Sequence, residues 1–192
     1  MITPNAGAIA KTRYLLAEAM MRLLEKQGFR KISVRDICNE SMVSRSAFYV
    51  HFADKYQLLE YCLDRLMEWQ AEHSQIGTLE QQMLQMLDTI QTNSRVLHNV
   101  FMAEMDPEVI QLFEKLFRKI VEGWVSQMKF MSRDAKSPMP MVMAFYAGGL
   151  ANVVICWIRE DFATPKEELA HCQSRLMLRL LADVGEDMQG MM

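Results

Sequence analysis

The chain of 192 residues is 51% hydrophobic and 23% charged, and it carries a net charge of −3. That length and apolar content allow a sizeable core, and no low-complexity or long like-charge run suggests disorder. Four cysteines show no metal-ligand spacing, and Cys38, Cys62 and Cys156 lie in apolar helical patterns. We therefore expect buried reduced thiols, no metal and no cofactor. Met1 to Ala10 contains no basic segment of a signal peptide, which predicts a cytoplasmic protein.

The first predicted helix covers residues 8–26. Its apolar residues recur at helical spacing and form one stripe: Ile9, Leu16, Ala19, Met20, Leu23 and Leu24. Gly28 is predicted to end this helix as a C-terminal cap. Because the next elements are too short to bury much surface alone, the stripe is expected to supply their shared core.

Two short helices separated by a tight turn follow. Ser33 with Asp36 three residues later is the pattern of a capping box, and it predicts a helix over residues 34–40. After a turn at 41–43, Ser44 is a favourable N-cap for a second helix over 45–50, in which Phe48 can pack inward. Asp54, with Gln57 three residues later, predicts the start of a third helix.

This pattern is typical of a helix-turn-helix, whose second helix enters the DNA major groove by its N-terminal end. Arg45 and Ser46 are predicted to meet base edges, since a guanidinium can bind guanine O6 and N7 together. Hydroxyl, imidazole and ammonium donors suit phosphate oxygens; the predicted phosphate contacts are Tyr49, His51 and Lys55, with Ser33, Ser44 and Arg35 as further candidates. Lys11 and Arg13 are weaker candidates. For each of these residues, a simple cap or a solvated charge is the alternative interpretation.

The charge distribution agrees with this assignment. Residues 1–60 hold nine Lys or Arg against six Asp or Glu, whereas the remainder holds 12 against 18. A basic first part on an acidic second part suits a DNA-binding protein whose second domain handles something else.

The rest of the chain predicts further helices and no strand, so the expected fold is all-α. Helices are predicted over residues 54–72, after Thr78, over 96–105, over 107–131 and from about 166 to 184. Thr78 with Gln81 forms another capping box, and Asp106-Pro107 is a favourable helix start.

Residues 137–158 contain no charge and are long enough to span a membrane. Small residues at Ala144, Ala147, Gly148 and Ala151 recur at helical spacing within this segment. Small residues let two helices approach closely, whether in a bilayer or in a dimer interface. The pattern alone therefore leaves a membrane span and a dimer interface open.

The N-terminal motifs resemble the TetR family of bacterial transcriptional regulators over about residues 11–59. The matching features are an apolar helix, Gly28-Phe29, the Ser33-capped helix, the turn at 41–43 and Tyr49-Val50-His51-Phe52-Ala53-Asp54-Lys55-Tyr56-Gln57-Leu58. Met42 replaces the Gly that is common in the turn, and Ala47 replaces a frequent Thr. A Met at positive φ would cost about 1 kcal/mol.

The resemblance implies a homodimer formed by the last two helices as a four-helix bundle, which favours the dimer interface over the membrane span. The implied interface residues are Ala144, Ala147, Gly148, Ala151 and Ile155. The C-terminal part is similar to a subgroup related to regulators of dihydroxyacetone kinase operons. Phe145, Gly148-Gly149, Trp157-Ile158, Glu160-Asp161 and Thr164-Pro165-Lys166-Glu167 carry that likeness.

An effector pocket would have to come from the central helices. The candidate lining residues are Trp69, Met86, Phe101, Met102, Met105, Phe113, Phe117, Trp124 and Met128. Ordinary core packing is the alternative for each of them.

We therefore expect a homodimeric regulator that binds a double-stranded DNA operator through residues 1–60 and an effector, small molecule or protein, through residues 61–192. A repressor is the most common role in the family. The alternatives are a DNA-binding architectural or interaction protein without an effector, and an activator that depends on a co-activator. An enzyme is disfavoured, because no nucleophile, base and orienting group come together and no phosphate-binding Gly loop occurs.

Overall fold

The computed structural model describes residues 6–73, 77–101, 106–127 and 139–189. Within these ranges the protein has no strand, so the all-α prediction is confirmed. The helices of the described residues are α1 Ala6–Leu24, α2 Val34–Ser41, α3 Arg45–His51, α4 Lys55–His73, α5 Leu79–Thr92, α6 Ser94–Phe101, α7 Pro107–Gln127, α8 Met139–Arg159 and α9 Lys166–Gln189. A 3₁₀ turn, Phe29–Lys31, lies between α1 and α2.

The first of two compact units comprises Met1–Trp69 and Asn93–Val109. In this unit α1 packs against α2, α3 and α6, and α6 also packs against the 3₁₀ turn. Its fully buried side chains include Leu16, Met20, Leu24, Phe29, Ile37, Phe48, Phe52 and Leu58. The stripe predicted on α1 therefore contributes to the core shared by the short helices, although Ile9 at its start is exposed.

The end of α1 differs from the prediction. The helix ends at Leu24, and Gly28 adopts an extended conformation, with φ −62° and ψ 145°, before the 3₁₀ turn. The Leu24 carbonyl accepts a hydrogen bond from Asn99 Nδ2 at 2.7 Å. The prediction for Gly28 was therefore wrong: it does not cap α1, and the Leu24 carbonyl is satisfied by a side chain 75 residues away.

The second unit comprises Gln70–Thr92 and Ile110–Met192, and in it α9 packs against α5 and α8. Two side-chain contacts join α5 to α9. Lys166 Nζ pairs with Asp88, and His171 Nδ1 lies 3.2 Å from Glu80 Oε1. Tyr146 of α8 donates a hydrogen bond from Oη to the carbonyl of Gln173 in α9, at 2.7 Å. Side chains from both neighbours therefore hold α9.

The helix starts predicted at Thr78 and at Asp106-Pro107 are confirmed. Thr78 and Gln81 form a reciprocal capping box, with distances of 2.9 and 3.3 Å. Asp106 Oδ1 accepts a hydrogen bond from the Glu108 N–H at 3.1 Å, one residue after Pro107 begins α7. The division predicted at residue 60 is a division by function, whereas the two compact units are defined by packing. The functional division stays a prediction.

The uncharged segment predicted at 137–158 forms most of α8. Residues Pro140–Arg159 are long and apolar enough to cross a membrane, by length and composition only, and half of the tested window is buried inside the protein. The core helix of a protein without any membrane contact passes the same test, so this property is weak support for a span.

The cysteines divide into two groups. Cys38 and Cys62 are buried free thiols, as predicted, and burial raises the pKa of Cys62 to about 12. Cys156 and Cys172 are exposed. The prediction of a buried thiol was therefore wrong for Cys156, which lies on the face of α8 turned away from the core.

Candidate nucleic-acid interface

The capping box predicted at the start of α2 is present in full. Ser33 Oγ accepts a hydrogen bond from the Asp36 N–H at 3.2 Å, and the Ser33 N–H donates to Asp36 Oδ2 at 2.9 Å. The Ser33 hydroxyl also donates to Asp36 Oδ2 at 2.6 Å. These hydrogen bonds from Ser33 lower the pKa of Asp36. The first turn of α2 is therefore fixed by two residues of its own sequence.

The turn between α2 and α3 adopts the strained geometry that the sequence raised as a possibility. Met42 has φ 57° and ψ 26°, in the left-handed region. Its side chain is 92% exposed, so no side-chain packing holds it there. Instead, the N–H groups of Met42 and Val43 both donate to the Cys38 carbonyl, and Ser41 Oγ accepts a further hydrogen bond from the Val43 N–H at 3.3 Å. Backbone hydrogen bonds offset the strain.

α3 has a buried side and an exposed side. Ser44 caps the helix, with Oγ accepting a hydrogen bond from the Ala47 N–H at 3.2 Å, and Phe48 is completely buried. Four exposed residues, which we call the outward face of α3, lie away from the core: Arg45, Ser46, Tyr49 and Val50. A short capped helix with an exposed face of this kind can enter a DNA groove.

The predicted base-reading residues belong to the outward face. Arg45 and Ser46 are both exposed in the first turn of α3. The Ser46 hydroxyl lies 3.0 Å from that of Ser44, which leaves it further hydrogen-bonding capacity. Tyr49 packs edge-to-face on Phe48, with ring centroids 5.3 Å apart, and half of its side chain remains exposed.

The other predicted phosphate contacts are spread around this helix pair. Ser33, Arg35 and Ser44 are exposed at or near helix N-termini, where backbone N–H groups also favour anions. His51, the last residue of α3, is only half-buried.

Lys55 was predicted to contact phosphate. In the structure its ammonium contacts three carbonyls of its own chain instead of extending into solvent. Its Nζ lies 3.1 Å from the Phe29 carbonyl, 3.3 Å from that of Arg30 and 2.9 Å from that of Ile32. The ammonium also lies 4.5 Å from the centre of the Phe29 ring. Burial lowers the pKa of Lys55. Three carbonyls account for the three N–H donors of the ammonium in the protein alone, so Lys55 stabilises the 3₁₀ turn, and its contact with phosphate stays a prediction.

Arg13, a weaker candidate for a phosphate contact, packs against aromatic rings. Its guanidinium lies 5.0 Å from the centre of the Phe52 ring and 4.4 Å from that of Tyr61. Its Nε is buried without a hydrogen-bond partner. Arg13 therefore packs α1 onto aromatic residues.

One interaction near the helix-turn-helix could not be predicted from the sequence. Tyr56, the second residue of α4, donates a hydrogen bond from Oη to Asp106 Oδ2 at 2.8 Å. Burial and this hydrogen bond raise the pKa of Tyr56 to about 12. Since Asp106 also caps α7, one carboxylate connects α4 to the start of α7.

The models of two protein families together match most of the chain. A family described as "Bacterial regulatory proteins, tetR family" matches residues 16–62, which include α2 and α3. A family described as "Transcriptional regulator C-terminal region" matches residues 77–179, more than half of the chain. The chain belongs to the TetR family. As a TetR-family protein it is a DNA-binding transcriptional regulator and not an enzyme, as the motifs of residues 28–58 predicted.

One curated relative is the uncharacterized HTH-type transcriptional regulator YxbF of Bacillus subtilis (strain 168). It is 36% identical over 58 residues, which are 30% of this chain and 15% of the relative. This TetR-family chain therefore matches less than a sixth of the relative's length.

Solved structures agree in fold. The dihydroxyacetone kinase operon activator DhaS is 18% identical with a TM-score of 0.61, over 90% of this chain and 96% of DhaS. A TetR transcriptional regulator from Streptococcus agalactiae 2603V is 20% identical with a TM-score of 0.63, over 88% and 94% of the two chains. One from Streptomyces coelicolor is 16% identical with a TM-score of 0.61, over 92% and 83%. The predicted likeness to the dihydroxyacetone kinase subgroup is thus matched by a shared fold.

The effector-pocket candidates remain predictions. Met86, Phe101, Phe113, Phe117 and Trp124 are all buried. Burial of this kind agrees with ordinary core packing as well as with a pocket wall. Met102, Met105, Met128 and the side chain of Trp69 lie outside the described residues.

The predicted dimer residues lie mostly inside the protomer. Ala147, Ala151 and Ile155 are buried by their own chain, and Ala144 and Gly148 are half-buried. Five exposed residues of α8 follow a neighbouring line along the helix: Met141, Phe145, Gly149, Asn152 and Cys156. The predicted small residues Ala147 and Ala151 therefore pack within the protomer, and the large side chains of Met141 and Phe145 face outward.

Proposed function

We propose that this TetR-family protein is a homodimeric, cytoplasmic repressor that binds a pseudo-palindromic operator through residues 1–60. It leaves the operator when a small-molecule or protein effector binds residues 61–192. The observation that supports operator reading is the outward face of α3, where Arg45, Ser46 and Tyr49 are exposed on a capped helix. Arg45 and Ser46 read base edges in this proposal, and the phosphate contacts are Ser33, Arg35, Ser44, Tyr49 and His51.

A dimer would place two α3 helices on one side of the DNA. Recognition helices of such dimers enter successive major grooves about 34 to 36 Å apart. The operator would then be two inverted half-sites separated by about one helical turn.

The exposed line of α8 supports dimerisation. Met141 and Phe145 are each 77% exposed, and they lie one turn apart on the same face. Large apolar side chains of this kind favour burial against another surface. In α9, Leu176 is also half-exposed, three residues after Gln173, the residue that α8 contacts through Tyr146. We infer that a second copy of the chain covers this face, since TetR-family regulators typically act as homodimers.

Charge substitutions test the dimer. Phe145→Arg and Leu176→Arg should convert the protein to monomers in sedimentation or light-scattering measurements. Leu178→Arg is the matched control, because Leu178 is as exposed as Leu176 and lies seven residues after His171, on the side of α9 that faces α5. A monomeric wild type, or dimers in both Phe145→Arg and Leu176→Arg, would contradict this interface.

The Tyr56–Asp106 hydrogen bond supports release by an effector. Asp106 caps α7, and the residues of α7 after Val109 belong to the second compact unit. A change at the start of α7 that moves Asp106 would remove the hydrogen bond from α4, which directly follows the helix-turn-helix. An effector can drive that change only if it binds the two states with different affinities.

Genome-wide footprinting of the tagged protein tests the function as a whole. We expect a small number of bound sites with an inverted repeat, and Arg45→Ala should relax the base preference at one position of each half-site. A reporter gene under a bound site should rise when the gene for the protein is deleted. Binding without sequence preference would contradict the proposal.

Two alternatives predict different outcomes of the same experiments. A reporter that falls on deletion would indicate an activator, and a co-activator would then be sought. An architectural protein would stay on DNA in the presence of every compound found to stabilise it in a thermal-shift screen.

A further inference from the structure

Val50 is the more exposed of the two large apolar or aromatic residues on the outward face of α3. Its side chain is 80% exposed, and among the large hydrophobic side chains of the described residues only that of Met42 is more exposed. It follows Phe48 by two residues, so it lies about 200° around the helix from that buried ring. No part of the protein packs against this apolar side chain strongly enough to bury it.

Neither helix formation nor the core of the protein explains a valine here. A β-branched side chain loses rotamer freedom in a helix, and Lys, Glu or Ala are better residues for an exposed helical position. The side chain has two methyl groups and no hydrogen-bonding atom, so it cannot contact a phosphate as Arg35 or Tyr49 can.

The major groove offers one natural apolar group at the base edges, the C5-methyl of thymine. The other base-edge groups are hydrogen-bond donors and acceptors, which lose their water without compensation when an apolar side chain covers them. A valine on a groove-facing surface therefore favours thymine in two ways, by contact with its methyl group and by disfavouring a G·C pair.

Val50 and Ser46 lie on the same line of the outward face, four residues apart. That spacing is about 6 Å along the helix axis, which is between one and two base-pair steps. In the proposed docking, this separation would place Val50 at a different base pair from Ser46 and from Arg45, which lies in the first turn.

We propose that Val50 is a specificity-determining residue that selects thymine at one position of each operator half-site through its C5-methyl group. The proposal rests on the proposed docking of the outward face of α3 in the major groove. It adds an apolar reading position to the polar ones of Arg45 and Ser46.

The test uses deoxyuridine, which differs from thymidine only by the missing C5-methyl. Duplexes that bind the full-length wild type are first selected from a random pool, and each thymine of the consensus is then replaced in turn. We expect one position per half-site at which the replacement weakens wild-type binding about fourfold, the value of one buried methyl group. Fluorescence anisotropy at fixed salt measures the affinity.

Val50→Ala should abolish the sensitivity at that position while the folded protein still binds the duplex. Met42→Ala, which shortens an exposed apolar side chain outside the outward face of α3, is the control and should keep the fourfold sensitivity. The proposal fails if the wild type tolerates uracil everywhere, or if Val50→Ala remains as sensitive as the wild type. Absence of any selected sequence would instead contradict DNA reading by this face, and would overturn both proposals together.

Discussion

The helix-turn-helix over residues 33–52 and helix α8 are built in opposite ways. In the first, each helix is fixed by a capping residue a few positions away, and Phe48 at the centre of α3 is completely buried. In α8, Phe145 in the second turn is 77% exposed. The first region thus fixes its shape within one chain, whereas in the proposed dimer a second copy would complete the packing of α8.

The largest expected effect tests this contrast directly. Phe48→Ala should lower the free energy of unfolding by about 3 to 5 kcal/mol, because it leaves a cavity in the core. Phe145→Ala should instead lower the melting temperature in a way that depends on protein concentration, since it weakens only association. Thermal unfolding by circular dichroism over a hundredfold range of concentration measures both. Equal, concentration-independent losses would remove the distinction between the two regions.

The next prediction tests whether Lys55 stabilises the fold or binds phosphate. Lys55→Met should lower the free energy of unfolding by about 2 to 3 kcal/mol, because three carbonyls around residues 29–32 lose a charged donor. The salt dependence of DNA binding by the folded protein should not change.

Arg35→Met is the comparison for this prediction. It should leave stability nearly unchanged and lower the slope of log affinity against log salt by about 0.9 per subunit. If Lys55→Met lowers the slope in the same way, Lys55 leaves its carbonyls to contact phosphate on DNA.

A smaller effect concerns the bond between α4 and α7. Tyr56→Phe removes the hydrogen bond to Asp106 and should lower the free energy of unfolding by about 1.5 kcal/mol at neutral pH. Because the pKa of Tyr56 rises from 10.0 to about 12 in the folded protein, this residue stabilises below pH 10 and its contribution is lost as pH rises to 12. The difference between wild type and variant should therefore shrink over that range in urea titrations. A constant difference would mean that Tyr56 contributes through packing alone.

The smallest expected effect is an increase in stability. Met42→Gly should raise the free energy of unfolding by about 0.5 to 1 kcal/mol, because glycine adopts positive φ without strain and this gain exceeds its entropy cost. Met42→Ala keeps the Cβ atom and should have no such effect. Stabilisation by both variants would assign the gain to the exposed methionine side chain instead of the backbone.

Local chemistry explains which parts of the protein were predictable. The caps at Ser33, Ser44, Thr78 and Asp106 each act over two or three residues, so the sequence contains the whole interaction. The roles of Lys55 and Asn99 depend on carbonyls brought close by folding, and no spacing rule reveals them. Small residues in α8 indicate close approach but not which neighbour approaches, and here Ala147 and Ala151 are buried by their own chain.

The carboxylate of Asp106 serves two elements with its two oxygens, one for the first turn of α7 and one for Tyr56 of α4. The carboxylate therefore links the two helix ends. A rotation of the first turn of α7 that displaces Asp106 must be accompanied by movement of the start of α4 or by loss of the hydrogen bond to Tyr56.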